Sequence, residues 1–342
     1  MNYFHLLPVR EFPDRGTKWL LESPENTREL LRIIAAELVE KLDFKRIQYI
    51  PTTFIPDNLR KQEADILFLI PFVEGGTERE VLIYILIEHQ STPSLLMGFR
   101  ITFYMLQIWD RQRRAWIDQK LPEEQWRFHP ILPIVFYTGA AEWETSLKIS
   151  ALMDVPYELE SYVPHHETLF LHLKETAPEK LTPGEHPFGW VLRVIQKEAA
   201  TQAEFVEALL TAIDRLESLP PEEAETWEKL MYYLFLLIYH RRAPSEHEML
   251  RQQVQERVRT HFRKEEVENM GQTIAQALIQ EGQEIGALQN EQRVLINLLT
   301  KKFGQLPSNI VERIQRISEI ARLDTLLNHF VTAKSLDDIK IE

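Results

Sequence analysis

Two apolar runs separated by a short polar break constrain this chain more than any other feature. ADILFLIPFV (Ala64–Val73) and REVLIYILIEHQ (Arg79–Gln90) flank Glu74-Gly75-Gly76-Thr77-Glu78. Runs of this length rich in β-branched and aromatic residues read as strands, and a Gly-containing break between them reads as a hairpin turn. Val81–Ile87 is continuously apolar, as expected of a central strand covered on both faces.

The neighbouring segments give that hairpin its partners. Ser23-Pro24-Glu25-Asn26 is a helix-start signal, and Leu30, Leu31, Ile33, Ile34, Leu38, Val39 and Leu42 follow at helical spacing, which predicts a helix over 25–42. IQYIPTTFIP reads as short and extended, MGFRITFYMLQIW (Met97–Trp109) as a helix, and ILPIVFYTG (Ile131–Gly139) and LFLHL (Leu169–Leu173) as further strands. Strands interleaved with helices predict an α/β fold, one mixed central sheet flanked by helices. Beyond it the periodicity is helical. Val191, Leu192 and Ile195, then Phe205, Leu209, Leu210 and Ile213, then Leu230, Leu234 and Leu237 mark amphipathic helices. A long charged helix is expected from about Ser245, weakened by Gly271, Gly282 and Gly286, followed by a small helical unit over Val294–Phe303, Asn309–Ile320 and Leu323–Ala333. The length of 342 residues exceeds one typical domain, and the composition divides into 1–186, 187–265 (a helical extension) and 266–342 (a small helical domain).

Composition removes several function classes. There is no cysteine, so disulfides, Cys-ligated zinc, iron–sulfur clusters and a thiol nucleophile are excluded. That absence fits a cytoplasmic protein. The start, MNYFHLLPVREFPDRG, has no basic segment leading into an apolar run, so no signal peptide is expected. No run reaches the ~18 apolar residues of a membrane span. A net charge of −13 excludes a strongly basic nucleic-acid coat, but not local basic patches.

The chemistry sits at the open end of the hairpin. If the strands pair about a centre between Gly76 and Thr77, Asp65 faces Glu88 across the ladder. Facing residues have Cβ atoms roughly 4.5–5.5 Å apart, and two like charges there need neutralising. A divalent cation such as Mg²⁺ suits an all-oxygen donor set. The period of two puts Gln90 on the face of Glu88. The competing reading is that both acids are solvated rim residues.

ADILFLIPFVEGGTEREVLIYILIEHQSTPSLLMGFRITFYMLQIW resembles the core of the recombination-promoting nuclease, or transposase-like, family of the PD-(D/E)xK nuclease superfamily. The likeness rests on Asp65 opening a strand, on Leu86-Ile87-Glu88-His89-Gln90-Ser91 ending one, and on Met97, Arg100 and Tyr104 of the next helix. PDRGTKWLL (Pro13–Leu21) and PILPIVFYTGAAEW (Pro130–Trp143) extend it, and LINLLTKKFGQLP…LDTLLNHFVTAKSLDDI is similar to a helical domain often appended to such proteins. The resemblance implies a restriction-endonuclease-like core and a metal-dependent DNA endonuclease, linked to recombination or mobile elements. It implies Mg²⁺ (or Mn²⁺) on Asp65, Glu88 and the His89 carbonyl, with Gln90 where most of the superfamily has a lysine. A neutral amide can only hydrogen-bond, so what activates the water stays open. Lys18 is one source of positive charge. A catalytically inactive scaffold acting through protein contacts is the alternative.

Accessory candidates each have a bland reading. Asp14 and Lys18 are either a helix start and a surface cation or contributors to the site. Glu37 on the first helix is either solvated or near the metal. Arg100 and Tyr104, four apart, share a helix face and serve either packing or phosphate contact. Arg111, Arg113, Arg114 and Lys120 stand against Asp110 and Asp118, a basic run that could touch DNA phosphates or simply end a helix. His165, His166 and His172 read as polar loop residues without zinc spacing. The Arg251–Lys264 run, with Arg257, Arg259 and Arg263, reads as a solvated helix at which copies of the chain could assemble; the expected partners are DNA and, through the C-terminal helices, a second copy.

Overall fold

The hairpin forms the centre of a five-stranded sheet. In order, β1 (Gln48–Tyr49), β2 (Ile66–Val73), β3 (Glu80–Gln90), β4 (Ile131–Tyr137) and β5 (Leu169–His172) lie side by side. β1, β2 and β3 run antiparallel, whereas β3, β4 and β5 run parallel. The computed structural model describes residues 9–51, 66–73, 80–184, 186–339 and 341, without the side chains of Arg10, Pro13, Asp14, residues 80–84, Leu86, Glu88, His261, Phe262 and Asp337. The β2–β3 register runs from Val73↔Glu80 to Ile66↔Ile87, the expected centring between Gly76 and Thr77. Every described side chain of β3 from Ile85 onward is buried, as its position between two neighbours requires.

Helices cover both faces. α1 (Phe12–Leu21) leads into α2 (Pro24–Ile34), which Ser23 caps by accepting from the Asn26 amide at 3.4 Å, with Pro24 in the first turn. The single helix expected over 25–42 is broken. Ala35 leaves helical geometry at φ −155°, ψ 60°, and a four-residue α3 (Ala36–Val39) follows. α4 (Met97–Asp118) runs on past Trp109 by more than two turns. Its Met97, Ile101 and Met105 pack on Val135, and its Tyr104 and Ile108 on Leu67.

After β5 come α5 (Pro178–Leu181), α6 (Phe188–Gln196), α7 (Gln202–Glu217) and α8 (Ala224–Arg241). α8 is not a one-faced helix as its spacing suggested. Leu230 through Ile238 are all buried, which makes it a central core helix. α9 (Pro244–Arg257) and the first turns of α10 (His261–Phe303) follow. The arginines read as solvated are in fact ties to α7. Arg257 Nε donates to Asp214 at 2.7 Å, and Arg263 pairs with the buried Glu217 at 3.3 Å and lies over the Trp227 ring.

The chain divides into two compact units, Met1–Gly271 and Gln272–Glu342. α10 crosses that boundary without a break at its glycines. At Gly282 and Gly286 an added Cβ would meet nothing within 4 Å, so these are exposed positions on a helix held elsewhere. In the second unit Leu295 and Leu299 of α10 pack with Ile314 of α11 (Ser308–Gln315), Leu323 and Leu326 of α12 (Ile320–Thr332), and Ile339. Among the described residues no helix is long and apolar enough to cross a membrane.

Candidate active site

The carboxyl ends of β3, β4 and β5 lie together, and alternation along β3 sorts its last residues onto two faces. The register aligns position 88 with Val135 and Gln90 with Tyr137, on the face covered by α4. His89 aligns with Phe136 on the other face. Asp65 lies outside the described residues, as do the side chains of Glu88 and Asp14. The last described rung before residue 65 is Ile66↔Ile87.

Gln90 is buried, and its amide Nε2 donates back to the His89 carbonyl at 2.9 Å. That carbonyl, a candidate metal ligand, therefore already accepts one bond. On α4, Arg100 and Tyr104 are both buried, with the guanidinium 5.9 Å from the Tyr104 ring centre. Tyr104 packs against Leu67, two residues along β2 from position 65. Beside Gln90, the Tyr137 ring lies 4.7 Å from that of His172, and its hydroxyl donates to Ala141 O at 2.8 Å. His172, read as a loop residue, ends β5 and is buried.

The remaining candidates scatter. Glu37 is exposed on α3, and the chain after α3 joins β2 at its other end, through the Leu42↔Phe72 bridge. Lys18 is half-buried on α1, and the Phe12 and Thr17 of that helix reach the His89 face. Arg113 and Arg114 are exposed and bind Asp110 at 2.7 and 2.6 Å, while Arg111 reaches Pro51 O at 3.4 Å. Among the described residues no three His, Asp or Glu side chains converge as metal ligands.

Sequence reasoning missed the clip that holds this strand end. His89 Nε2 lies 2.9 Å from Thr138 Oγ1, and the Thr138 amide donates to Gln90 O at 2.9 Å. Burial holds the His89 imidazole down at about 4, with the Arg241 charge as a smaller contribution, so it is neutral near pH 7. Gly139 follows because a Cβ there would sit 2.2 Å from Ser91 O. The Tyr137-Thr138-Gly139 stretch was the one available signal; nothing marked Arg241.

The chain is similar to curated proteins of Escherichia coli. The recombination-promoting nuclease RpnD of Escherichia coli O157:H7 is 28% identical over 36% of this chain and 44% of its own length. RpnC of E. coli K12, of the same description, is 30% identical over 37% and 39%. The inactive recombination-promoting nuclease-like protein RpnE of E. coli K12 is 29% identical over 37% and 38%. The chain thus spans about two fifths of the length of these curated relatives. No solved structure matches it significantly. The family model described as "Putative transposase, YhgA-like" matches residues 13–228, which takes in the sheet, α4 and the strand-end clip, and the chain belongs to that family.

Proposed function

We propose that this protein is a metal-dependent DNA endonuclease that hydrolyses phosphodiester bonds, built on a restriction-endonuclease-like core. The observation that carries the reading is the β2–β3 register. Continued by one residue beyond Ile66↔Ile87, it pairs Asp65 with Glu88, on the face where Gln90 lies and Arg100 and Tyr104 of α4 pack. The succession of a helix, three antiparallel strands, a helix and a parallel strand supports the core assignment, and the names of RpnD and RpnC support the activity.

The donor types fit Mg²⁺ or Mn²⁺: two carboxylates and the His89 carbonyl are hard oxygen ligands, to which water and phosphate oxygens would add. When bound, the ion supplies Lewis-acid polarisation of the scissile phosphate and a lowered pKa for a bound water. The residues of the chain position it. Asp65 and Glu88 hold it, Gln90 fixes the carbonyl beside it, and Arg100 backs the carboxylates from α4. Contact of Arg113 and Arg114 with DNA phosphates would exchange their ion pairs to Asp110 for new ones. Plasmid nicking with and without Mg²⁺ tests the reading: Asp65→Ala should abolish cleavage, and undiminished cleavage by that variant removes it.

One observation favours a second reading, a nuclease fold kept as a scaffold. Gln90 is a neutral amide, one donor of which goes to its own strand, and supplies no positive charge to a transition state. RpnE, named as inactive, is compatible with that. A scaffold would bind no divalent ion that Glu88→Gln releases.

A further inference from the structure

A cavity opens on the His89 face of the sheet, opposite the face of backbone position 88. It measures about 210 Å³ and lies at the carboxyl ends of the parallel strands, the usual place for ligands in such sheets. At roughly 30 Å³ per water molecule it has room for about seven, hence for a small organic molecule. Three stretches that carry the family likeness meet there: α1 through Thr17, the end of β3 through His89 and Ser91, and the end of β4 through Thr138. α8 closes it with Tyr233, Leu237 and Arg241.

The wall is divided chemically. Phe12, Ile195 and Leu237 are buried and apolar. The charged groups facing it are Lys174, Glu198 and Arg241. Lys174 donates to Ile195 O at 2.6 Å, Gln196 O at 3.4 Å and Glu198 at 2.9 Å, so its donors are engaged. Arg241 differs. Its described polar partner is Glu198, at 3.6 Å, too far for a hydrogen bond. The guanidinium thus presents a planar fork of donors at the cavity mouth. The local balance is one positive charge in a chain of net charge −13.

We propose that this cavity binds a small organic anion, its carboxylate or phosphate head paired with Arg241 and its apolar body against Phe12, Ile195 and Leu237. A bidentate guanidinium–oxyanion pair supplies orientation, and the apolar wall selects against inorganic anions. The site stands independently of the nuclease reading, because it lies on the other face of the sheet and requires neither Asp65 nor Glu88. The two sites share the end of β3, where His89 lines the cavity and Thr138 bonds both His89 and Gln90 O.

Calorimetric titration of the full chain tests it, with benzoate, phenyl phosphate, inorganic phosphate and neutral benzamide as probes. Saturable binding is expected for benzoate or phenyl phosphate, whichever head the site prefers, at least tenfold tighter than for benzamide or inorganic phosphate. Arg241→Gln, at a half-exposed position, should weaken that binding at least tenfold. Ala199→Leu, which adds bulk at a residue lining the cavity and leaves the cation, should do the same. The proposal is overturned if neither organic anion binds, if benzamide binds as well as benzoate, or if Arg241→Gln binds unchanged while remaining folded by circular dichroism.

Discussion

His89 on β3 and Thr138, one residue past β4, join the two central parallel strands through a 2.9 Å contact between Nε2 and Oγ1. The contact is side chain to side chain at the point where the backbone ladder ends. It fixes the last residues of β3 on both faces. Thr138 also receives the strand end by donating its amide to Gln90 O, and Gln90 in turn holds the His89 carbonyl. A neutral imidazole, with one donor and one acceptor nitrogen, suits this arrangement.

That neutrality predicts a pH dependence of stability. The unfolded imidazole titrates near its ordinary value of about 6.5, the folded one at about 4. Between those values the unfolded state binds more protons, so stability falls as the solution is acidified. The contribution is fully present above pH ~6.5 and decreases by about 3 kcal/mol on approach to pH ~4. Urea midpoints for the native chain and His89→Leu at pH 7.5 and 4.5 check this. The native chain should lose more than the variant. Equal losses would show that His89 is charged or exposed in the folded state.

Gly139→Ala should destabilise the protein by about 3 kcal/mol, as overpacking against fixed atoms does. The nearest obstacle to the new Cβ is the Ser91 carbonyl oxygen at 2.2 Å, a backbone atom, with the Tyr137 hydroxyl next at 2.4 Å. The first cannot swing aside, and the second ends a ring packed against Trp143 and His172 and bonded to Ala141 O, so the ends of β3 and β4 must separate. Denaturant unfolding gives the cost. Gly282→Ala serves as the control, because open space surrounds that position and a helix gains slightly from alanine.

The central hairpin was legible because two signals agreed. Two long apolar runs and the Gly-containing break between them set one centre, between Gly76 and Thr77, and the described rungs from Val73↔Glu80 to Ile66↔Ile87 follow it. The break at Ala35 was illegible. No Gly or Pro marks it, and the apolar spacing continues through Leu38, so tertiary packing overrides propensity there. α4 outran its apolar stripe because Asp110 pairs with Arg113 and Arg114 one turn on, a charge pattern that sustains a projecting helix end. The cavity beside His89 was out of reach for a different reason. Its lining runs from Phe12 to Arg241, and no periodicity relates residues so far apart in the chain.

Lys174→Met should cost about 2–4 kcal/mol, the range for removing one partner of a largely buried pair. Lys174 ties β5 to the end of α6, satisfying carbonyls that a helix C-terminus leaves open and pairing with Glu198. Methionine keeps the stem packing and deletes the donors. Lys174→Arg should restore part of the loss through its charge. A midpoint shift below about 0.5 kcal/mol for the methionine variant would show that water replaces the ammonium.

The two polar residues at positions 88 and 90 should separate in their effect on divalent-ion binding. A carboxylate contributes charge to a hard cation, whereas an amide contributes only a dipole, and the described donor of Gln90 points at His89 O rather than outward. If the ion sits between Asp65 and Glu88, Glu88→Gln should lower Mn²⁺ affinity about a hundredfold. Gln90→Ala removes no charge and loosens the neighbouring carbonyl, and effects of such supporting residues start at about tenfold, so its loss should be clearly smaller. Isothermal titration with Mn²⁺ measures both. Equal losses would make Gln90 a ligand in its own right and require its amide to turn from the His89 carbonyl. No loss in either variant would leave the strand end without an ion and favour the scaffold.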